Sequence, residues 1–146
     1  MIPPYRFSNP VEAGPGVNTM PAAFVVPTDF SENAWSAFQH ARILVDNDES
    51  EIVVVHAIDP TVVTQVVELG IGDHDAVLAS LRENALERLK RYSDLSNDST
   101  HIDTLVCEGE PFLEIIRKAD DFAVDAIVMS KLGQRDQTKS LLFGST

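Results

Sequence analysis

From residue 22 to residue 130 the chain switches repeatedly between two hydrophobic periods. The run "AAFVVP" (22–27) is short, rich in Val and Phe and stopped by Pro27, which predicts a strand too brief to be a helix. Ser31 then offers a helix cap, and Ala34, Ala37, Phe38, Ala41, Leu44 and Val45 recur on one face at helical spacing. The polar stretch "DNDES" breaks that stripe, and "EIVVVHAI" from Glu51 is apolar on both faces, as a central parallel strand is. Residues 59–74, with "TVVTQVVELG", fit either period and are read as an irregular connection. Val77, Leu78, Leu81, Ala85, Leu89 and Tyr92 then mark a helix whose other face, with Arg82, Glu83, Glu87, Arg88 and Lys90, is solvated. "HIDTLVCEG" alternates as a strand, Gly109 permits a turn, and Pro111 suits the first turn of a helix running through Ile115, Ile116 and Ala119. "DAIVMS" (125–130) is a fourth strand. The order β-α-β-α-β-α-β predicts an α/β fold, an open parallel sheet with helices on both faces.

Residues 1–21 hold five of the eight prolines and no sustained period, the composition of a flexible tail, which leaves residues 22–146 as one domain. The formal net charge of −12 opposes both the phosphate backbone of nucleic acids and anionic membranes, so neither is an expected partner. A single cysteine, Cys107, excludes a disulfide framework within the chain. With no apolar run of membrane-spanning length and no secretory core at the N-terminus, a cytoplasmic location is expected.

In an open parallel sheet, ligands bind beyond the carboxyl ends of the strands where the strand order reverses, which directs attention to "PTDFSEN" and "SKLGQRDQTKSLLFGST". The segments "VVPTDFSENAWSAFQHA", "IVVVHAID", "EGEPFLEIIRKA" and "DAIVMSKLG…GS", in that order, resemble the universal stress protein family over residues 22–145. The resemblance implies a Rossmann-like fold of strand order 3-2-1-4-5, a homo-oligomer, usually a dimer, and in some members bound ATP. It places Pro27, Thr28 and Asp29 at the nucleotide, with Asp29 near the ribose or a phosphate-bound Mg ion, and Ala57 against the adenine. Nucleotide-binding members carry two glycines three positions apart, nine residues, then Gly followed by Ser or Thr. Here Ser130 stands at the first glycine position, Gly133 at the second, ten residues separate Gly133 from Gly144, and Ser145 follows.

Each departure has a physical meaning. Serine at position 130 adds a Cβ and a hydroxyl where glycine would let backbone approach the ligand, which weakens binding without excluding it. The longer spacer is either absorbed as a bulge or rotates the amides of Gly144 and Ser145 away from the phosphates. The helix and fifth strand that follow in the resembling family are expected to be missing, leaving the fourth strand as an edge that invites self-association. Lys131, Arg135 and Lys139 form a local excess of positive charge beside this loop. His56 reads as a hydrogen-bonded strand-end histidine rather than a ligand, and Asp29 and Ser31 double as helix caps. Neither a P-loop nor a nucleophile elbow is present, and the four histidines lack metal-ligand spacing. Three function classes follow: an ATP-binding stress or regulatory protein whose regulatory protein partner the sequence does not name, a non-nucleotide interaction module that uses the same fold for dimerisation, and a slow hydrolase or self-phosphorylating protein with Ser145 and Thr146 as acceptors. The first is preferred.

Overall fold

Four strands pair in parallel in the order β3-β2-β1-β4, so the chain steps outward twice from β1 and then returns across it. The structure, a computed structural model, describes residues 22–45 and 50–131. The elements are β1 (Ala23–Pro27), α1 (Glu32–Leu44), β2 (Ser50–Ile58), α2 (Pro60–Glu68), α3 (His74–Ser93), β3 (Thr100–Glu108), α4 (Pro111–Asp121) and β4 (Ala126–Ile127). The tail of residues 1–21, the glycines of the second loop and the expected absence of a fifth strand all lie outside the described residues.

Right-handed crossovers fix where the helices go. The two outward steps put α1, α2 and α3 on one face, around Val26, Phe38, Ile52, Val54, Val63 and Leu89. The return step puts α4 on the other face, over Val25, Val53, Val55 and Val124. β2 is buried on both sides from Ile52 to Val55, as its unbroken β-branched run requires.

Three sequence expectations are corrected. Residues 59–74 are not an irregular connection, because nine of them form α2. Asp59 caps it by accepting from Thr61 N, Pro60 occupies its first turn, and Val63 is buried with Val66 and Val67 packed beside it. Leu44 lies off the buried stripe at 62% exposure, whereas Val45 is fully buried. The fourth strand is shorter than residues 125–130: the ladder covers Ala126 and Ile127, flanked by Asp125 N donating to Ala23 O (2.7 Å) and Val128 N donating to Val25 O (2.9 Å). The next rung would need an N–H from Pro27, which has none, so residues 129–131 leave the sheet.

Candidate functional site

Where β1 and β4 separate beyond their last rung, a cleft of about 260 Å³ opens at the carboxyl end of the sheet, at the point where the strand order reverses. Pro27, Thr28 and Asp29 form one wall, and Met129, Ser130 and Lys131 the opposite one. Val55, His56 and Ala57 come from β2, Ala34 from α1, and Pro111 and Ile115 from α4. The lining is mainly small and apolar, with a carboxylate on one wall and an ammonium on the other.

Five of the residues singled out in the sequence therefore meet here: Pro27, Thr28, Asp29, Ala57 and Ser130. Gly133, Gly144 and Ser145 lie outside the described residues. Ser130 is not among the described non-glycine residues with positive φ, which are Phe30 and Ala123. Its burden at the glycine position is thus the added side chain and not backbone strain.

The loop after β1 is built from local hydrogen bonds. Asp29 Oδ1 accepts from Ser31 N (3.0 Å), and Ser31 Oγ accepts from Ala34 N (3.1 Å), so the expected double capping is present. Thr28 lines the cleft while its hydroxyl is engaged within the fold. Thr28 Oγ1 is hydrogen-bonded to the Tyr92 hydroxyl (2.7 Å) and accepts from Phe30 N (3.0 Å).

His56 donates from Nδ1 to Thr28 O (2.8 Å), since a carbonyl can only accept, and this fixes the neutral ring's tautomer. Burial pushes its pKa below the usual histidine value; the Thr28 carbonyl and Asp29 oppose the shift, and Arg88 reinforces it. Its ring lies 4.4 Å from that of Phe30, and the Arg88 guanidinium covers Phe30 at 4.3 Å. Burial likewise raises the pKa of Tyr92, so its hydroxyl stays protonated. Cys107 is half-buried with its thiol pKa raised, first by burial and then by Glu114, the opposite of a reactive thiol.

Sequence reasoning gave Phe30 no role within "PTDFSEN" and missed Arg88 and Tyr92 as supports of this loop, reading Tyr92 as core and Arg88 as solvated surface. No local signal pairs them with β1. Pro111 and Ile115 were assigned to a helix but not to a cleft. Among the described residues no group of three or more His, Cys, Asp or Glu could hold a metal ion, and no helix is long and apolar enough to cross a membrane.

A model of the universal stress protein family matches residues 20–146. Universal stress protein MJ0577 of Methanocaldococcus jannaschii is 26% identical over 144 residues, covering 88% of this chain and 87% of that protein. Universal stress protein MJ0531 of the same organism is 28% identical over 120 residues, covering 81% and 69%. Among solved structures, that of hypothetical protein MJ0577 superposes with a TM-score of 0.69 at 24% identity, covering 86% of this chain and 90% of that one. Universal stress protein UspA from Lactobacillus plantarum superposes at 0.55 and 21% identity, covering 77% and 79%. Both superpositions are likenesses of fold.

Proposed function

The chain belongs to the universal stress protein family, and we propose that it acts there by binding an adenine nucleotide in the cleft between β1 and β4. The observation that carries this reading is the meeting of Pro27–Asp29, Ala57 and Ser130–Lys131 around one opening at the switch point of the sheet. Alanines at positions 34 and 57 let a flat base approach closely, and Val55, Pro111 and Ile115 remove it from water. Asp29 suits a ribose hydroxyl, and Lys131 opposes the negative field of the chain where phosphates would enter. At about 260 Å³ the cleft lies just under the usual ~300–1,000 Å³ of small-molecule sites, a size for the nucleoside with its phosphates reaching outward. A magnesium ion would be held chiefly by the phosphates, with Asp29 the nearest carboxylate on offer.

Isothermal titration of the full chain with Mg-ATP tests the proposal. Saturable heat, lost when the cleft is filled by substitution, supports it; no heat and no thermal shift at millimolar ligand defeats it. That second outcome would favour an interaction module, a reading supported by the outward apolar side chains Phe112, Leu113 and Ile116 on α4 (65%, 51% and 46% exposed).

A further inference from the structure

One wall of the cleft is held from the far side of the sheet. The ladder between β1 and β4 ends with Val128 N donating to Val25 O, because Pro27 has no N–H for another rung. Past that level strand pairing no longer holds Pro27–Asp29 on the cleft side. Thr28 is instead secured from β2 and α3: its N–H donates to Val55 O (2.8 Å), its carbonyl accepts from His56 Nδ1 (2.8 Å), and its hydroxyl meets the Tyr92 hydroxyl (2.7 Å). The residue is only 6% exposed, so these bonds form away from bulk water and define its position closely.

Two residues on, the backbone is held in a strained turn. Phe30 has φ 64°, in the left-handed region that disfavours a bulky side chain. Its ring sits between His56 and the Arg88 guanidinium, and its N–H donates to Thr28 Oγ1. A strained turn kept in place by contacts from β2 and α3 is over-determined, which is the arrangement expected where a loop must hold one shape for a ligand.

We propose that Tyr92 and His56 are positioning residues for the nucleotide, acting through the hydroxyl and the carbonyl of Thr28 to set the Pro27–Asp29 wall and so the affinity of the cleft. The inference rests on the reading of the cleft as an adenine-nucleotide site. Tyr92 lies on a helix that supplies no residue to the cleft lining, so it acts without touching the ligand; His56 is itself a lining residue, its imidazole held by the Thr28 carbonyl and against the Phe30 ring.

The test is a titration of Mg-ATP into the full chain and its Tyr92→Phe, Thr28→Val and doubly substituted forms, with thermal unfolding of the nucleotide-free proteins alongside. Each single substitution is expected to weaken binding about fivefold or more, the equivalent of one hydrogen bond, and the double no further than the weaker single. His56→Asn, which keeps an N–H donor, should retain more affinity than His56→Leu, and this pair carries the test if Tyr92→Phe does not fold. If the variants lose thermal stability but bind Mg-ATP as tightly as the parent, the residues are structural only and the inference fails. Absence of binding by the parent overturns the reading of the cleft, and this inference with it.

Discussion

The hydroxyls of Thr28 and Tyr92 meet at 2.7 Å across 64 residues of sequence, joining the carboxyl end of β1 to the last turn of α3. The bond is buried, and Tyr92 also packs edge-on against Trp35 and Phe38, with ring centroids 5.0 and 4.8 Å away. The loop that lines the cleft is therefore continuous with the core of the α1–α3 layer, and its stability can be probed from both sides.

Removing the Tyr92 hydroxyl should destabilise the chain by about 1–2 kcal/mol, the usual effect of deleting one partner of a buried hydrogen bond. Thr28 Oγ1 would still accept from Phe30 N, which limits the loss. Urea unfolding of Tyr92→Phe, with an unchanged slope, measures it.

Phe30 predicts a reversal of the usual ranking of alanine over glycine. Phe30→Ala loses the contacts to His56 and Arg88 yet keeps the left-handed strain at φ 64°, whereas Phe30→Gly loses the same contacts and relieves it. The glycine form should be the more stable of the two by about 1 kcal/mol. Equal stability, or alanine ahead, would show that the turn carries no strain worth relieving.

The lowered pKa of His56 gives a pH dependence of defined sign. Below the ordinary histidine value of about 6.5 the unfolded chain takes up a proton that the folded chain resists, so stability is full above that value. It falls as pH drops toward the depressed folded value. Arg88 on α3 opposes the proton, Asp29 on the β1–α1 loop favours it, and Tyr92 stays neutral throughout this range. Comparing parent and His56→Phe isolates the effect from the titrating carboxylates. The parent should lose stability relative to the variant on going from about pH 7.5 to 5.5, by no more than about 1.4 kcal/mol per pH unit.

Filling the cleft separates binding from folding. Ala57 is only half-buried and lines the opening, so Ala57→Leu can project into it without overpacking either core cluster. Nucleotide binding should drop at least tenfold, while the unfolding free energy moves by less than about 1 kcal/mol. Titration and urea unfolding of the same preparation give both numbers.

Gly109, between β3 and α4, should resist substitution. Its φ is 146°, and a Cβ there would lie 2.7 Å from Glu114 Cγ and 2.8 Å from Oε1, on a buried side chain paired with Arg117. Gly109→Ala combines backbone strain with this clash and should cost about 2 kcal/mol or more by thermal or chemical unfolding. It should also weaken nucleotide binding, because α4 begins at Pro111, one edge of the cleft.

The periodicity of the chain by itself determined the alternation of strands and helices, and with it a parallel sheet covered on both faces, since β-branched runs such as residues 51–58 and stripes such as Val77–Tyr92 allow few other arrangements. It also marked the residues of the β1–α1 loop, because capping by Asp29 and Ser31 and the stop at Pro27 are local chemistry. The signal for α2 was present as Asp59-Pro60, a cap followed by a first-turn proline, but four valines matched the strand preference equally well until packing against α3 decided between them. The length of β4 was legible only in three dimensions: Pro27 ends the ladder through its missing N–H, and the register Val25↔Ile127 is needed to see it. The partners of Thr28 were likewise invisible in sequence. Tyr92 and Arg88 occupy helical positions that read as core and surface, and only the crossover carrying α3 over the carboxyl end of β1 brings them to Thr28 and Phe30, because long-range contacts of this kind are set by chain topology and not by any local preference.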